Sequence, residues 1–415
     1  MKGCSANNYT LSKLENFTHG APYELLANLR QQQAVSWEEA IDGGTGHWNV
    51  FRKADIDWVM KNPELFSNAT GPRIQDPPKA LIGSEKVSLN MMDPPRHRRN
   101  RKLLDQAFKP AAIALREAAI RTIAQEIIDE VIGEGSGQHH CEFVTSVAVQ
   151  LPLRSICWIL GIPKTDRQSV CALTNTMMLA DDPDFAGDPA EGFEAQRDLV
   201  GYGTQLAADH RVNPRDSLTM DLLNASIAGQ GLSDFEYGLF FLNLIIGGIE
   251  TTRNTAAYGL YEFICHPDQF KILQDNPSQI DDAVEEILRY HAPIVYYRRT
   301  ATQDTELAGQ HISAGDKVIV WLASANRDET VFANPDQFDI SRCQREAVRK
   351  NSRTFGVGPH FCIGVHLAHL QLRILFEEII KRMSDIQLVA PPKNASSIFV
   401  DGFKEMNISF QVREH

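Results

Sequence analysis

No CxxC pair occurs among the seven cysteines, which stand at positions 4, 141, 157, 171, 265, 343 and 362. Their number is odd and their spacing wide, which argues against a disulfide framework and a structural zinc site. No apolar run is long enough to span a bilayer. The longest candidate, Gly238 to Gly248, includes Asn243 and runs on into Glu250. The first residues lack the apolar core of a signal peptide. Positive charge is in short supply. The 41 Lys and Arg stand against 53 Asp and Glu, a formal net charge of -12, which disfavours nucleic-acid backbones as partners. No Gly/Ser linker, charged tail or internal repeat marks a boundary. Length alone suggests two or three domains, but the uniform pattern predicts one unit over 1–415. A cytoplasmic monomer without a membrane anchor is expected.

The ordinary apolar content of 43% is enough for a sizeable core. Residues 22 to 70 read as a helix, two strands and another helix. Val35-Ser36-Trp37 and Trp48-Asn49-Val50-Phe51 alternate as a hairpin, with Gly43, Gly44 and Gly46 in the turn. From about Lys109 to Tyr290 apolar residues recur at helical spacing, punctuated by Pro163 and Asn213-Pro214. Short strands return near His311–Val320 and at the C-terminus. The fold class predicted is mainly α, with a small β region at one end.

The strongest signal is Phe355-Gly356-Val357-Gly358-Pro359-His360-Phe361-Cys362-Ile363-Gly364. Two glycines and a proline make a tight loop, and Gly364 permits an unusual backbone after the cysteine. A helical pattern begins at once, with Val365, Leu367, Ala368, Leu370 and Leu372. Cys362 is therefore expected at a helix N-terminus, where free N–H groups and the helix dipole favour a thiolate. A buried structural cysteine is the bland alternative. The Phe, three Gly, His and Cys positions are very improbable together by accident, at roughly 5–7% per residue type.

This run resembles the haem-binding loop of the cytochrome P450 family, Phe-Gly-x-Gly-x-His/Arg-x-Cys-x-Gly, at every defined position. Four more motifs follow the family's order along nearly the whole chain. Gly247-Gly248-Ile249-Glu250-Thr251-Thr252 lies in a helical segment from about Asp234 to Cys265. Helix propensity is poor there, and a helix weak at its centre can open and release a threonine hydroxyl. The resemblance implies that Thr251 hydrogen-bonds dioxygen and Glu250 relays protons. Glu286 and Arg289 lie three apart on one helical face and can pair. The resemblance buries them and completes them with Arg342, to fix the loop leading to Cys362. Asp93-Pro94-Pro95-Arg96-His97-Arg98-Arg99-Asn100-Arg101 opens a helix. His97 and Arg101 resemble the pair that grips one haem propionate. Arg299, with His360, resembles the pair for the other, and the spacing to Asp304 favours Arg299 over Arg298. Phe355, Gly356 and Gly364 complete the cofactor loop.

The resemblance implies a single-domain P450 fold, a helix-rich triangular prism. Haem b would lie between the central helix and the cysteine-loop helix, with Cys362 as axial ligand of the iron. It implies a monooxygenase that inserts one atom of O2 into a C–H or C=C bond. A thiolate ligand favours O–O cleavage, and the protein positions substrate and delivers protons. No flavin or iron–sulfur segment is visible, so two electrons must reach it from NAD(P)H through a ferredoxin and its reductase. The alternatives are a peroxide-driven peroxygenase and a non-catalytic haem-thiolate sensor.

The segments expected to line the pocket include the loop at about 71–92 and the helix pair around 172–200. Leu244, Gly247, Ile294, Val295, Tyr296 and Phe399 are its named candidates. They are mostly apolar or small, which favours a terpenoid, a steroid or an alkyl chain. Tyr296 and Tyr297 either offer a hydroxyl to the substrate or divide between core and surface. Residues 96–109 and 342–353 are exceptionally basic for this acidic chain. Arg98, Arg99, Arg345 and Arg349 are the expected docking face for an acidic ferredoxin.

Overall fold

The computed structural model describes residues 10–40, 44–76, 88–133, 137–180, 182–185, 189–227, 230–342 and 345–413. Ten helices carry the architecture relevant to the site. They are α1 (Tyr23–Gln32), α2 (Lys53–Lys61), α3 (Arg96–Asp105), α4 (Glu117–Ile132), α5 (Gln150–Leu160), α6 (Arg167–Met178), α7 (Pro189–Val212), α8 (Asp234–Cys265), α9 (Ile280–Tyr290) and α10 (Val365–Arg382). The strands used below are β1 (Val35–Glu38), β2 (His47–Val50), β3 (Phe66–Ser67), β4 (Gln138–Glu142), β5 (Tyr296–Ala301), β6 (Lys317–Trp321), β7 (Met383–Leu388) and β8 (Asn407–Val412).

The predicted hairpin is present. β1 and β2 pair antiparallel with Trp37 opposite Trp48, whose rings meet edge to face at 5.3 Å, a favoured aromatic geometry. Gly43 lies outside the described residues. The sheet runs β1-β2-β6-β5-β3, and β5 reaches it from α9 with Arg298 opposite Ile319. A second sheet runs β7-β8-β4. β4 corrects the expectation of a mostly helical run from 109 to 290. Its Gln-His-His-Cys-Glu sequence has no apolar helical stripe, and it pairs with β8 from the far end of the chain.

Helix α8 is the central rod. Its 32 residues span roughly 48 Å at the usual rise. Ser233 and Glu236 close a capping box at its start, which satisfies two otherwise orphaned donors. Buried residues occur all round it, as expected of a helix enclosed by others. It packs against α5, α7 and α10. The crossing with α7 is close. A Cβ at Gly238 would lie 2.5 Å from Val200 O, and one at Gly203 would lie 2.7 Å from Phe241 Cβ. Among the described residues no helix is long and apolar enough to cross a membrane.

Candidate active site

The loop before α10 is shaped by Gly356 (φ 69°) and Gly358 (φ 79°), both in the left-handed region that favours glycine. Gly358 is also pressed on α2, where a Cβ would meet Met60 O at 2.6 Å. The Cys362 N–H donates to Phe355 O (2.9 Å) and closes the loop, and the Phe355 ring lies tilted 5.1 Å from His369. Gly364 departs from expectation. Its φ of −81° and ψ of 5° suit any residue, and its Cβ position would lie 3.8 Å from Cys362 Sγ. Space beside the sulfur, rather than backbone strain, distinguishes this position.

The thiol itself also departs from expectation. Burial raises the Cys362 pKa, opposed by the Gly364 N–H and the Arg101 charge, and the net shift is upward. α10 begins at Val365, beyond the cysteine, and its dipole does not outweigh desolvation. A cation in the cavity would be needed to hold the sulfur as an anion.

Cys362 opens into a cavity enclosing about 1010 Å3 of empty space, counted out to its mouth. One wall is α8, through Asn243, Leu244, Gly247, Gly248, Thr251 and Thr252. The opposite wall is the cysteine loop with Leu367 and Gln371 of α10. α8 runs unbroken across its Gly-Gly-Ile-Glu-Thr-Thr segment, so the expected opening is absent. The Thr251 hydroxyl donates to Gly247 O at 2.8 Å. Its oxygen lone pairs stay available to accept.

Glu250 is fully buried and is not part of the cavity wall. Burial raises its pKa, and the Arg253 charge pulls it back only in part. Arg253 Nη2 lies 2.7 Å from Glu250 Oε2, yet neither group has an aligned hydrogen bond there. This contact is a close ion pair with poor directionality. Arg253 Nη1 donates to Asn175 Oδ1 on α6, so Glu250 and Thr251 diverge. Adjacent residues on a helix face different ways.

Beside the cysteine, His97 and His360 stack with ring centroids 3.9 Å apart. His97 Nδ1 and His360 Nε2 are buried without partners. Arg299 and His360 line a smaller adjoining cavity of about 410 Å3 together with Asn68 and Tyr297. Burial lowers His97 to about 4, His360 to about 2 and Arg299 to about 10. Arg299 donates to Arg298 O at 2.8 Å. Among the described residues no carboxylate bonds it. Arg298, the neighbour that a one-residue slip would choose, is tied to Asp76 at 2.7 Å. Arg101 donates to Pro359 O (3.4 Å) and pairs with Asp105 (3.3 Å). Arg299 is a buried cation with no carboxylate partner among the described residues, and the two neutral histidines beside it keep unpartnered ring nitrogens, which fits a ligand that brings carboxylates.

Glu286, Arg289 and Arg342 meet as expected. Arg289 grips Glu286 through two bonds of 2.7 Å, and Arg342 Nε joins Glu286 Oε1 at 3.2 Å. Arg289 also donates to Asn326 O, Pro335 O and Gln337 O. Asn326 carries the link onward. Its amide donates to Thr354 Oγ1 at 2.7 Å and its Oδ1 accepts from Arg353 N at 2.6 Å. Arg353 in turn pairs with Asp57 of α2. These bonds fix the chain that enters the cysteine loop.

A model of the cytochrome P450 family matches residues 185–397. The methyl-branched lipid omega-hydroxylase of Mycobacterium tuberculosis is 36% identical over 390 residues, 92% of this chain and 90% of that one. The linalool 8-monooxygenase of Pseudomonas putida is 34% identical over 406 residues, 94% of this chain and 96% of that one. The chain belongs to the cytochrome P450 family. A Mycobacterium marinum cytochrome P450 solved in complex with pseudoionone shares the fold at a TM-score of 0.86. It is 34% identical, with 98% of this chain and 100% of that chain covered. The protein is a haem-dependent monooxygenase that uses dioxygen and electrons from partner redox proteins.

The cavity of this P450 agrees with haem. It places a thiol on one wall, an apolar space before it and carboxylate-seeking groups at one edge. Of the expected substrate contacts, Leu244, Gly247 and Ile294 line it. Val295, Tyr296 and Phe399 do not; they pack with Trp321 in a core cluster from which, of these candidates, Ile294 alone reaches the cavity. Tyr297 lines it instead. Successive strand residues face opposite sides, so moving one position along β5 exchanges core for cavity. Burial pushes the Tyr297 phenol up to about 12. An outer cavity of about 1140 Å3 lies beyond, between the loop at 70–76, residues 88–91 and the helices α6 and α7. Residues 77–87 of the expected pocket loop lie outside the described residues.

The two basic stretches of the P450 differ. Arg96, Arg98 and Lys102 are exposed on α3. In the second stretch Arg345 pairs with Asp281 (3.0 Å) and Arg349 lies 3.8 Å from Glu285. Arg342 and Arg353 are bound internally, as described. Acidic residues of α9 therefore offset much of the charge expected to be free there.

Proposed function

We propose that Cys362 ligates the haem iron, with His97 and Arg101 holding one propionate and Arg299 and His360 the other. The observation that carries this reading is the half-buried thiol facing the Thr251 wall, with His360 on the same cavity and Arg299 on the adjoining one. When bound, the haem supplies the activation of dioxygen. Thr251 accepts a hydrogen bond at the cavity face of α8 and positions a proton there. Glu250 is the buried acid one residue earlier, and its poorly aligned contact with Arg253 leaves its carboxyl able to turn. Glu286, Arg289 and Arg342 hold the approach to the cysteine loop. Residues 1–415 act as one domain.

The substrate is a small to medium apolar molecule of terpenoid, steroid or alkyl type. Leu244, Ile294 and the glycines of α8 support this, as apolar linings select apolar ligands. An acidic ferredoxin docks on the face near Arg98 and Arg99, with Arg345 and Arg349 at its margin. The free thiols at Cys141, Cys157, Cys171 and Cys265 suit a reducing, cytoplasmic setting.

The test is spectroscopic. Holoprotein reduced under carbon monoxide should show the thiolate-ligated absorption, and Cys362→His should retain haem but lose that band. A band unchanged by the substitution would refute the assignment. Titration with apolar compounds, followed by NAD(P)H-dependent turnover with a surrogate ferredoxin system, then identifies the substrate class.

A further inference from the structure

On α8 the cavity wall upstream of Thr251 consists of Leu244, two glycines and one carboxamide, Asn243. Asn243 and Thr251 are eight residues apart on the same face, a rise of about 12 Å. The Asn243 amide nitrogen donates to Leu239 O at 2.7 Å, which fixes which end of the amide is which. Its Oδ1 accepts from Ser88 Oγ at 3.0 Å. Ser88 Oγ also lies 2.6 Å from Asn90 Oδ1. A hydroxyl carries one proton, so Ser88 can serve only one of these two oxygens.

Turning the Asn90 amide over lets its nitrogen donate to Ser88, whose proton then goes to Asn243. In either arrangement Asn243 Oδ1 keeps at least one lone pair open, since an amide oxygen has two. The Asn243 oxygen therefore has room for one further donor from the cavity side. Its position matters as much as its chemistry. Asn243 lines the cysteine cavity, whereas Ser88 and Asn90 line the outer one. The outer cavity carries Met91, Met177, Leu242 and Ile246 on one part of its wall and the polar Arg73, Asp76 and Gln196 on another.

We infer that the substrate is an elongated apolar alcohol whose hydroxyl donates to Asn243 Oδ1, and that oxidation falls on the end remote from that hydroxyl. The inference rests on the reading of the cavity given above. With the hydroxyl held at Asn243, the reacting carbon lies near Thr251, about 12 Å along α8. One atom of dioxygen enters a C–H bond there. The other leaves as water, with two electrons and two protons supplied from NAD(P)H and solvent through the partner proteins.

The experiment uses holoprotein and two probes of similar length, 1-dodecanol and dodecyl methyl ether. The ether keeps the oxygen but lacks the donor. Titration read by the haem spin-state shift should show the alcohol binding about tenfold tighter, the worth of one hydrogen bond to a site built for it. Asn243→Leu should reduce that ratio to about twofold or less. Ser88→Ala, which frees a second lone pair on Asn243 Oδ1 while the bond to Leu239 O still orients the amide, should keep the ratio at or above its wild-type value. Turnover of 1-dodecanol should give diols with the new hydroxyl in the half of the chain away from the first. Equal affinity for the two probes in the wild type, no shift with either, a preference that survives Asn243→Leu, or oxidation beside the existing hydroxyl would each overturn the inference. Loss of the thiolate-type carbon monoxide band in wild-type protein would instead overturn the site reading itself.

Discussion

Thr251 keeps its proton on Gly247 O and turns its oxygen to the cavity. Replacing it with alanine removes that oxygen without moving the apolar wall. Thr251→Ala should leave substrate affinity nearly unchanged while product formed per NAD(P)H falls by about tenfold, the worth of one lost hydrogen-bond acceptor at the cavity face. Peroxide assay alongside product quantification checks this, and unchanged coupling would remove Thr251 from the proton path. At this scale the sequence was informative where a motif sets which residues come together, as with Glu286, Arg289 and Arg342. It was uninformative where one step along a strand decides. Tyr296 and Tyr297 carry the same side chain, and only the β5 pairing shows that Tyr297 reaches the cavity. Asn243 sat in plain view as the polar interruption of an apolar run, but its bond to Ser88 joins residues 155 apart.

At the level of elements, the cysteine loop is held from both sides. From α9, Arg289 and Glu286 are almost wholly buried. Glu286→Gln leaves Arg289 charged and uncompensated, which typically costs about 3–5 kcal/mol. Urea unfolding of the haem-loaded protein should register a loss of that order, together with weaker haem retention. From α2, Asp57 bonds Arg353. Burial raises the Asp57 pKa, but the Arg353 bond and charge with the Lys53 charge outweigh it, and the net shift is downward. A carboxyl with a lowered folded pKa stabilises above its unfolded value, near ~3.9, and loses that contribution as pH falls through the folded value. The stability difference between wild type and Asp57→Asn should therefore be greatest near pH 6 and shrink toward pH 3. A difference that does not vary with pH would show that Asp57 acts by packing alone. The helices around the site were legible from their periodicity. β4 was not, because a strand without a stripe is identified only by the distant partner it joins. Nor was the continuity of α8, where burial on all sides outweighs the poor propensity of its glycines and threonines.

Over the whole molecule, charge sums along the chain mislead where folding brings in opposite charge from elsewhere. The stretch 342–353 is basic in sequence, yet Asp281 and Glu285 of α9 lie against Arg345 and Arg349. The α3 face should therefore dominate electrostatic docking. Arg98→Glu should slow ferredoxin reduction of the haem several-fold at low salt and flatten its ionic-strength dependence. Arg349→Glu should do so less. Stopped-flow reduction across a salt series measures both, and equal effects would restore the second stretch to the interface. The packing of α7 on α8 bears on which molecules can enter. Their contact at Gly203 and Gly238 brings the two backbones together as a fulcrum. Phe193 lies ten residues from Gly203, so the arm of α7 that walls the outer cavity is about 15 Å long. A tilt of α7 about that crossing would displace Phe193 most, and so would widen the outer cavity without spreading the central rod.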